Sequence, residues 1–156
     1  MRHVSAAGEN LVKTFEGLED GDLETPGLQP YLCPAGEPTI GYGHLIRPGE
    51  ADDFKHGIDQ AIAEDLLRMD LEAAERAVLR LIDVPLEDGQ FDALVDFTFN
   101  LGAGALQAST LRRVINRGDH GAAPAQFRRW VYAKGRRLAG LVRRRDAEAT
   151  IYEVNP

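Results

Sequence analysis

One cysteine, Cys33, stands among the 156 residues, so no internal disulfide can form and the chain suits a reducing compartment. No run of 18 apolar, uncharged residues occurs, which excludes a membrane-spanning helix and integral membrane contact of that kind. Met1 to Glu9 contains no apolar core of the sort a signal peptide needs. The four histidines, His3, His44, His56 and His120, have no metal-ligand spacing, so neither a metal nor another cofactor is expected. Repeats and low-complexity stretches are missing as well. Aromatic residues make up 7% and net charge is −7, a poor combination for a nucleic-acid partner.

What is present is enough for one sizeable core. With 44% hydrophobic residues over this length, the chain reads as a single domain, residues 1–156, and a monomer. Its charge is polarised: residues 1–90 carry 7 Lys+Arg against 19 Asp+Glu, and residues 91–156 carry 11 against 6. The basic stretch Arg112 to Arg145 suits an anionic polymer, or equally a set of solvated helix faces with internal ion pairs. Both readings stay open.

Along the chain, Val4, Ala7, Leu11, Val12 and Phe15 mark a first helix over Ser5–Phe15, capped by Ser5 and closed by Gly17, which leaves Glu16 at its end. Glu19 to Pro30 is acidic and punctuated by Gly and Pro, a surface loop. Arg47–Gly57 is a second polar loop. Ile62, Leu66, Met69, Ala73, Ala77 and Leu81 recur at helical steps, predicting a connecting helix over about 59–82, about 35 Å long at 1.5 Å per residue. It would join sub-lobes at about 1–58 and 83–156. Leu86–Leu101 is apolar on most sides and reads as a buried central helix stopped by Gly102 and Gly104. Shorter helices follow at Ser109–Arg117, Ala122–Tyr132 and Leu138–Tyr152. The class is α+β, mostly α.

Between the loops, Tyr31–Cys33 and Thr39–Tyr42 flank Pro-Ala-Gly-Glu-Pro, a hairpin signature. Thr-Ile-Gly-Tyr-Gly-His44 alternates side chains with glycines, leaving backbone open to close approach. Cys33 and Thr39, on opposite arms, are placed to point into one cleft, with the Glu16 carboxyl upstream. A carboxyl beside an apolar helix face acts as an acid near neutral pH when burial raises its pKa, and a threonine hydroxyl can hold a water.

These residues, Phe15-Glu-Gly, Tyr31-Leu-Cys-Pro-Ala-Gly, Thr39-Ile-Gly-Tyr-Gly-His, Gln90 to Gly102, Trp130 to Gly135 and Gly140 to Arg145, resemble in order the phage-type lysozymes, the endolysins of glycoside hydrolase family 24. The resemblance spans nearly the whole chain. It implies an N-terminal lobe with a β-hairpin, a long helix and a helical C-terminal lobe. It also implies a peptidoglycan-degrading muramidase cleaving β-1,4 bonds between N-acetylmuramic acid and N-acetylglucosamine. Roles carry over to Glu16 as general acid and to Cys33 and Thr39 as the groups that position water. Leu45, Phe99, Asn100 and Thr110 match substrate contacts, and His44 matches a structural histidine whose partner would be Asp70. Such a protein is made in the host cytoplasm without its own signal peptide and acts on the wall after release, through a holin.

Two departures keep alternatives open. Glu16 lies seventeen positions before Cys33, where the resembled pattern has nine; Glu24 has that spacing. The Phe-Glu-Gly context and helix-end position favour Glu16, with Glu19–Pro30 as an inserted loop. Cysteine is also mostly thiol at neutral pH, so inversion by a positioned water is simpler than nucleophilic attack unless the thiol pKa is lowered. Alternatives of other kinds are a catalytically weak peptidoglycan-binding module and a chitinase-like glycosidase. Trp130 with Arg128 and Arg129 suits sugar stacking or, as a core tryptophan, plain packing.

Overall fold

A computed structural model describes residues 1–154. The chain divides into two compact units, residues 13–70 and residues 1–12 with 71–156. Both divisions fall inside helices, α1 (Ala6–Glu16) and α3 (Gln60–Leu81), so the first twelve residues belong with the C-terminal half. The class is α+β and mostly α.

In the unit 13–70, α1 ends where Gly17 takes left-handed backbone (φ 72°) and its amide donates to Lys13 O at 3.0 Å. Glu19–Pro30 is an exposed, irregular loop tied down by Asp20, whose Oδ1 accepts the Gln29 amide at 2.9 Å. Then come three antiparallel strands in sequence order: β1 (Tyr31–Leu32), β2 (Pro38–Ile40) and β3 (His44–Leu45). The register sets Tyr31 opposite Thr39, and Thr39 opposite Leu45. The expected hairpin is therefore the first half of a three-stranded sheet. β3 escaped the sequence reading because two residues are too few to show alternation, and what makes it is the reversal through Gly41 (φ 65°) and Gly43 (φ 88°). The loop Arg47–Gly57 likewise contains a one-turn helix, α2 (Ala51–Phe54), which buries Phe54.

The first half of α3 follows. Its buried face is Ala63, Leu66, Leu67 and Leu71, continuing as Ala74, Ala77, Val78 and Leu81. That corrects the expected stripe: Ile62, Met69 and Ala73 face outward. Apolar residues occupy two adjacent stripes of this helix, and only packing decides between them.

In the other unit, α4 (Asp88–Leu101) is buried continuously from Phe91 to Thr98, as its all-round apolar character requires. Gly102 stops it, but Gly104 does not act as a stop: it lies within another short helix, α5 (Ala103–Ala108). Ser109 then caps α6 (Thr110–Asn116), its Oγ accepting the Arg112 amide at 3.0 Å. A 3-10 turn over His120–Ala122 leads into α7 (Ala123–Phe127). The helix expected over Ala122–Tyr132 ends there. Lys134 and Gly135, both at positive φ, turn the chain instead between β4 (Tyr132–Ala133) and β5 (Arg136–Arg137). The terminal helix α8 (Ala139–Glu153) packs along α4 with buried charge: Arg144 Nη2 and Nε meet Asp96 at 2.8 and 3.0 Å.

The N-terminal segment is anchored in this unit by two buried carboxylates. Glu75 accepts the Val4 amide and faces His3 Nδ1, both at 2.9 Å, and Asp92 accepts the Ser5 amide at 2.9 Å. Gly8 follows from this: a Cβ there would stand 2.5 Å from Asp92 Cγ, so only glycine lets α1 close on α4. No helix among the described residues is long and apolar enough to cross a membrane.

Candidate active site

Glu16, Cys33 and Thr39 all belong to the unit 13–70. Glu16 sits half-buried on the last turn of α1. Its Oε2 lies 3.6 Å from where a Cβ would stand on Gly43, so the two residues are at van der Waals distance. The two glycines of Gly-Tyr-Gly thus do different work. Gly41 is buried, and a Cβ there would stand 3.0 Å from Ala63 Cβ of α3; Gly43 is exposed and leaves the flank of Glu16 open.

Tyr31, which sequence reading did not single out as functional, also borders Glu16. Its hydroxyl donates to Gly41 O at 3.4 Å. Burial, with the Glu19 and Glu16 carboxylates close by, pushes the phenol above its ordinary value. Glu24 lies elsewhere, exposed in the acidic loop, with its amide donating to Asp22 Oδ1 at 3.0 Å.

Cys33 opens the turn between β1 and β2. Its amide donates to Glu37 O at 3.0 Å and its carbonyl accepts the Gly36 amide at 2.8 Å, which curls the turn around the side chain. Amide donation to the sulfur from Glu37, and more weakly from Ala35, with the Thr39 hydroxyl close by, holds the thiol below its usual range. Thr39 is buried opposite Tyr31, and its hydroxyl donates to Glu37 O at 2.9 Å. Cys33 and Thr39 are thereby neighbours across the hairpin, as their positions on opposite arms suggested. The unit 13–70 thus holds a carboxyl at an open flank and a sulfur whose charged form is favoured by hydrogen bonds.

His44 is buried, with Nδ1 at 2.9 Å from Asp70 Oδ2. The two residues expected to pair do meet. Glu50 adds a second carboxylate, 3.4 Å from Nε2, and the Arg47 amide beside Glu50 keeps that carboxyl below its ordinary value. Phe54 meets the imidazole edge-on at 5.9 Å. Nothing in a polar loop advertises Glu50; six residues after His44, it is found only when the loop folds back. Both ring nitrogens are thus occupied.

Of the expected substrate contacts, Leu45 is exposed on β3 beside Thr39. Phe99, Asn100 and Thr110 lie in the other unit, each half-buried. Asn100 Oδ1 accepts from Arg145 Nη2 at 2.8 Å. Thr110 Oγ1 accepts from Arg113 Nη2 at 2.7 Å. Trp130 is half-buried and stands edge-on to Phe97 at 5.5 Å.

A family model described as phage lysozyme matches residues 14–148, a span holding every one of these side chains. The chain belongs to the phage lysozyme family. It is therefore a glycoside hydrolase of the lysozyme class. Among its relatives, an endolysin of Acyrthosiphon pisum secondary endosymbiont phage 1 is 38% identical over 155 residues, covering 97% of this chain and 98% of that one. The endolysin of Bacillus phage B103 is 37% identical over 153 residues, 96% of this chain but 54% of its own, so this chain spans about half of that relative. In structure, the muramidase domain of SpmX from Asticaccaulis excentricus superposes with a TM-score of 0.80 at 35% identity, covering 99% of this chain and all of the other.

Proposed function

We propose that this lysozyme degrades peptidoglycan as a muramidase, cleaving the β-1,4 bond between N-acetylmuramic acid and N-acetylglucosamine, with the chain acting as one lysozyme-like domain. Glu16 protonates the leaving glycosidic oxygen. Water held at Cys33 and Thr39 attacks the anomeric carbon from the opposite side and sheds its proton to the sulfur, which gives inversion. The amide donors that lower the Cys33 pKa support a thiolate in that role. Leu45, Phe99, Asn100 and Thr110 contact the glycan in this reading, and His44 with Asp70 supports the sheet. The observation that carries the assignment of the acid is the Glu16 carboxylate against the open face of Gly43, in contrast to Glu24 out in the loop. Action at the cell wall follows from the substrate, and passage there through a holin lesion is part of the proposal. It predicts that cells expressing the chain lyse only when a pore-forming protein is co-expressed.

The test is turbidity loss on outer-membrane-permeabilised Gram-negative cells. Glu16→Gln is expected to lose on the order of 10²- to 10⁴-fold in rate, as loss of a general acid does, while Glu24→Gln keeps wild-type activity. The opposite pattern would transfer the role to Glu24. A folded wild type without lytic activity would leave a wall-binding module, and preference for chitin oligomers a chitinase-like enzyme.

A further inference from the structure

The basic stretch from Arg112 to Arg145 resolves in the fold into cations that serve the protein itself and cations that do not. Arg128 meets Asp146 at 2.9 Å, Arg144 meets Asp96 at 2.8 Å and Arg145 meets Glu148 at 2.6 Å. Arg129 borders a cavity with Trp130 and donates to Gln126 Oε1 at 3.1 Å. Lys134, Arg136 and Arg137 are different. All three belong to the β4–β5 hairpin, and among the described residues none of them meets a carboxylate.

The hairpin is rooted at its base and then stands clear. Val131 is buried, and its carbonyl accepts the Leu138 amide at 2.9 Å. From Tyr132 to Gly140 every residue is exposed, on both faces of the ribbon. The register puts Arg137 opposite Tyr132 and Arg136 opposite Ala133, with Lys134 and Gly135 forming the turn. Among the described residues, Lys134 is the only one other than glycine at positive φ (50°). Two-residue hairpin turns of that kind favour Asn-Gly, so a cation stands at the apex against local preference. Three cations thus share a convex tip, with Tyr132 (64% exposed) and Leu138 (42% exposed) at its shoulders.

A flexible polyanion is held along a groove or a track of cations, and this narrow ribbon offers neither. A bilayer surface offers phosphates to the cations and, just beneath them, an interfacial layer that suits an exposed tyrosine. The net charge of −7 opposes the contact only weakly, because at physiological salt charges more than about 8 Å from the surface are screened. We propose that the β4–β5 hairpin docks the protein peripherally on an anionic phospholipid surface, with Lys134, Arg136 and Arg137 on the phosphates and Tyr132 at the interface. The docking concerns where the protein is held rather than what it cleaves, and it is independent of the muramidase reading.

The test is cosedimentation of the full chain with vesicles of phosphatidylcholine alone and of phosphatidylcholine mixed with phosphatidylglycerol, at low and at physiological salt. Wild type should partition onto the mixed vesicles only, and less as salt rises. A cation near such a surface is worth about fivefold in partitioning, so Lys134→Asn, Arg136→Gln and Arg137→Gln combined should cost about a hundredfold. Lys134→Asn alone suits the turn, so its loss of about fivefold would not come from a misfolded hairpin. Tyr132→Ala should weaken binding severalfold at either salt. A control that removes three cations elsewhere, Lys55→Gln, Arg76→Gln and Arg80→Gln, should bind nearly as wild type does. Equal partition onto both kinds of vesicle, partition onto neither, an equal loss in the two triple variants, or a Tyr132→Ala protein that binds as tightly as wild type would overturn the proposal. Retention of soluble polyphosphate without binding to the mixed vesicles would overturn it as well, and would assign the hairpin to a soluble polyanion.

Discussion

The Cys33 sulfur is held by backbone amides of its own turn, and that arrangement makes its charge state a testable quantity. Because hydrogen bonds from Glu37 and Ala35 lower the thiol pKa, the thiolate forms at lower pH than in an ordinary cysteine. If the thiolate takes the water's proton, Cys33→Ser should lose at least about tenfold in kcat, equivalent to 1.4 kcal/mol. Cys33→Asp should stay active and carry the acid limb of the pH–rate profile to lower pH, since a carboxylate ionises near pH 4. A Cys33→Ser enzyme as fast as wild type would dismiss the sulfur from the mechanism. The sequence already made Cys33 and Thr39 neighbours; the ring of amides around the sulfur belongs to the turn geometry and has no residue code.

At the scale of elements, α1 carries the candidate acid at one end and is anchored at the other. Ser5 Oγ accepts the Ala7 and Gly8 amides at 3.2 and 3.3 Å, and Asp92 holds the Ser5 amide. Gly8 decides how closely the helix can lie on α4. By propensity alone Gly8→Ala should stabilise, by about 1 kcal/mol. The Cβ would instead meet Asp92 at 2.5 Å, and overpacking costs about 1–3 kcal/mol, so the variant should show a lowered midpoint in thermal or denaturant unfolding. A raised midpoint would mean that α1 shifts at no cost. Among the long elements, α1 and α3 were legible because each has enough turns for a period to emerge, and α4 because it is apolar on most sides. The short ones were not: β3, α2 and the β4–β5 hairpin are two to four residues each, made by glycine turns and tertiary pairing rather than by pattern.

For the molecule as a whole, stability at neutral pH depends on charge buried against α4. Arg145 and Glu148 are fully buried and meet at 2.6 Å, yet Arg145 Nε and Nη1 and Glu148 Oε2 find no partner among the described residues. Burial, with Asp96 close by, drives the Glu148 carboxyl well above its ordinary value. A raised folded-state value contributes stability that is complete below the unfolded value, about 4.3, and is lost as pH climbs through the folded one. Denaturant unfolding of the wild type should therefore weaken as pH rises above the unfolded value, and Glu148→Gln, neutral throughout, should flatten that slope. Glu148→Ala should cost about 3–5 kcal/mol, because it strands a buried guanidinium. A wild-type stability that rises over the same range would contradict the burial argument.

By itself the sequence determined the family, the mostly helical class, the long helices and the identity of the candidate acid, sulfur and hydroxyl. These depend on residue type, local spacing and periodicity, which are written along the chain. Only the tertiary structure decided which face of α3 is buried, that Glu50 meets His44, that Gly43 opens onto Glu16, and that Arg129 borders a cavity. Those facts join residues distant in sequence, or choose between local alternatives of equal propensity, and the energy that decides them is burial and pairing in the folded chain.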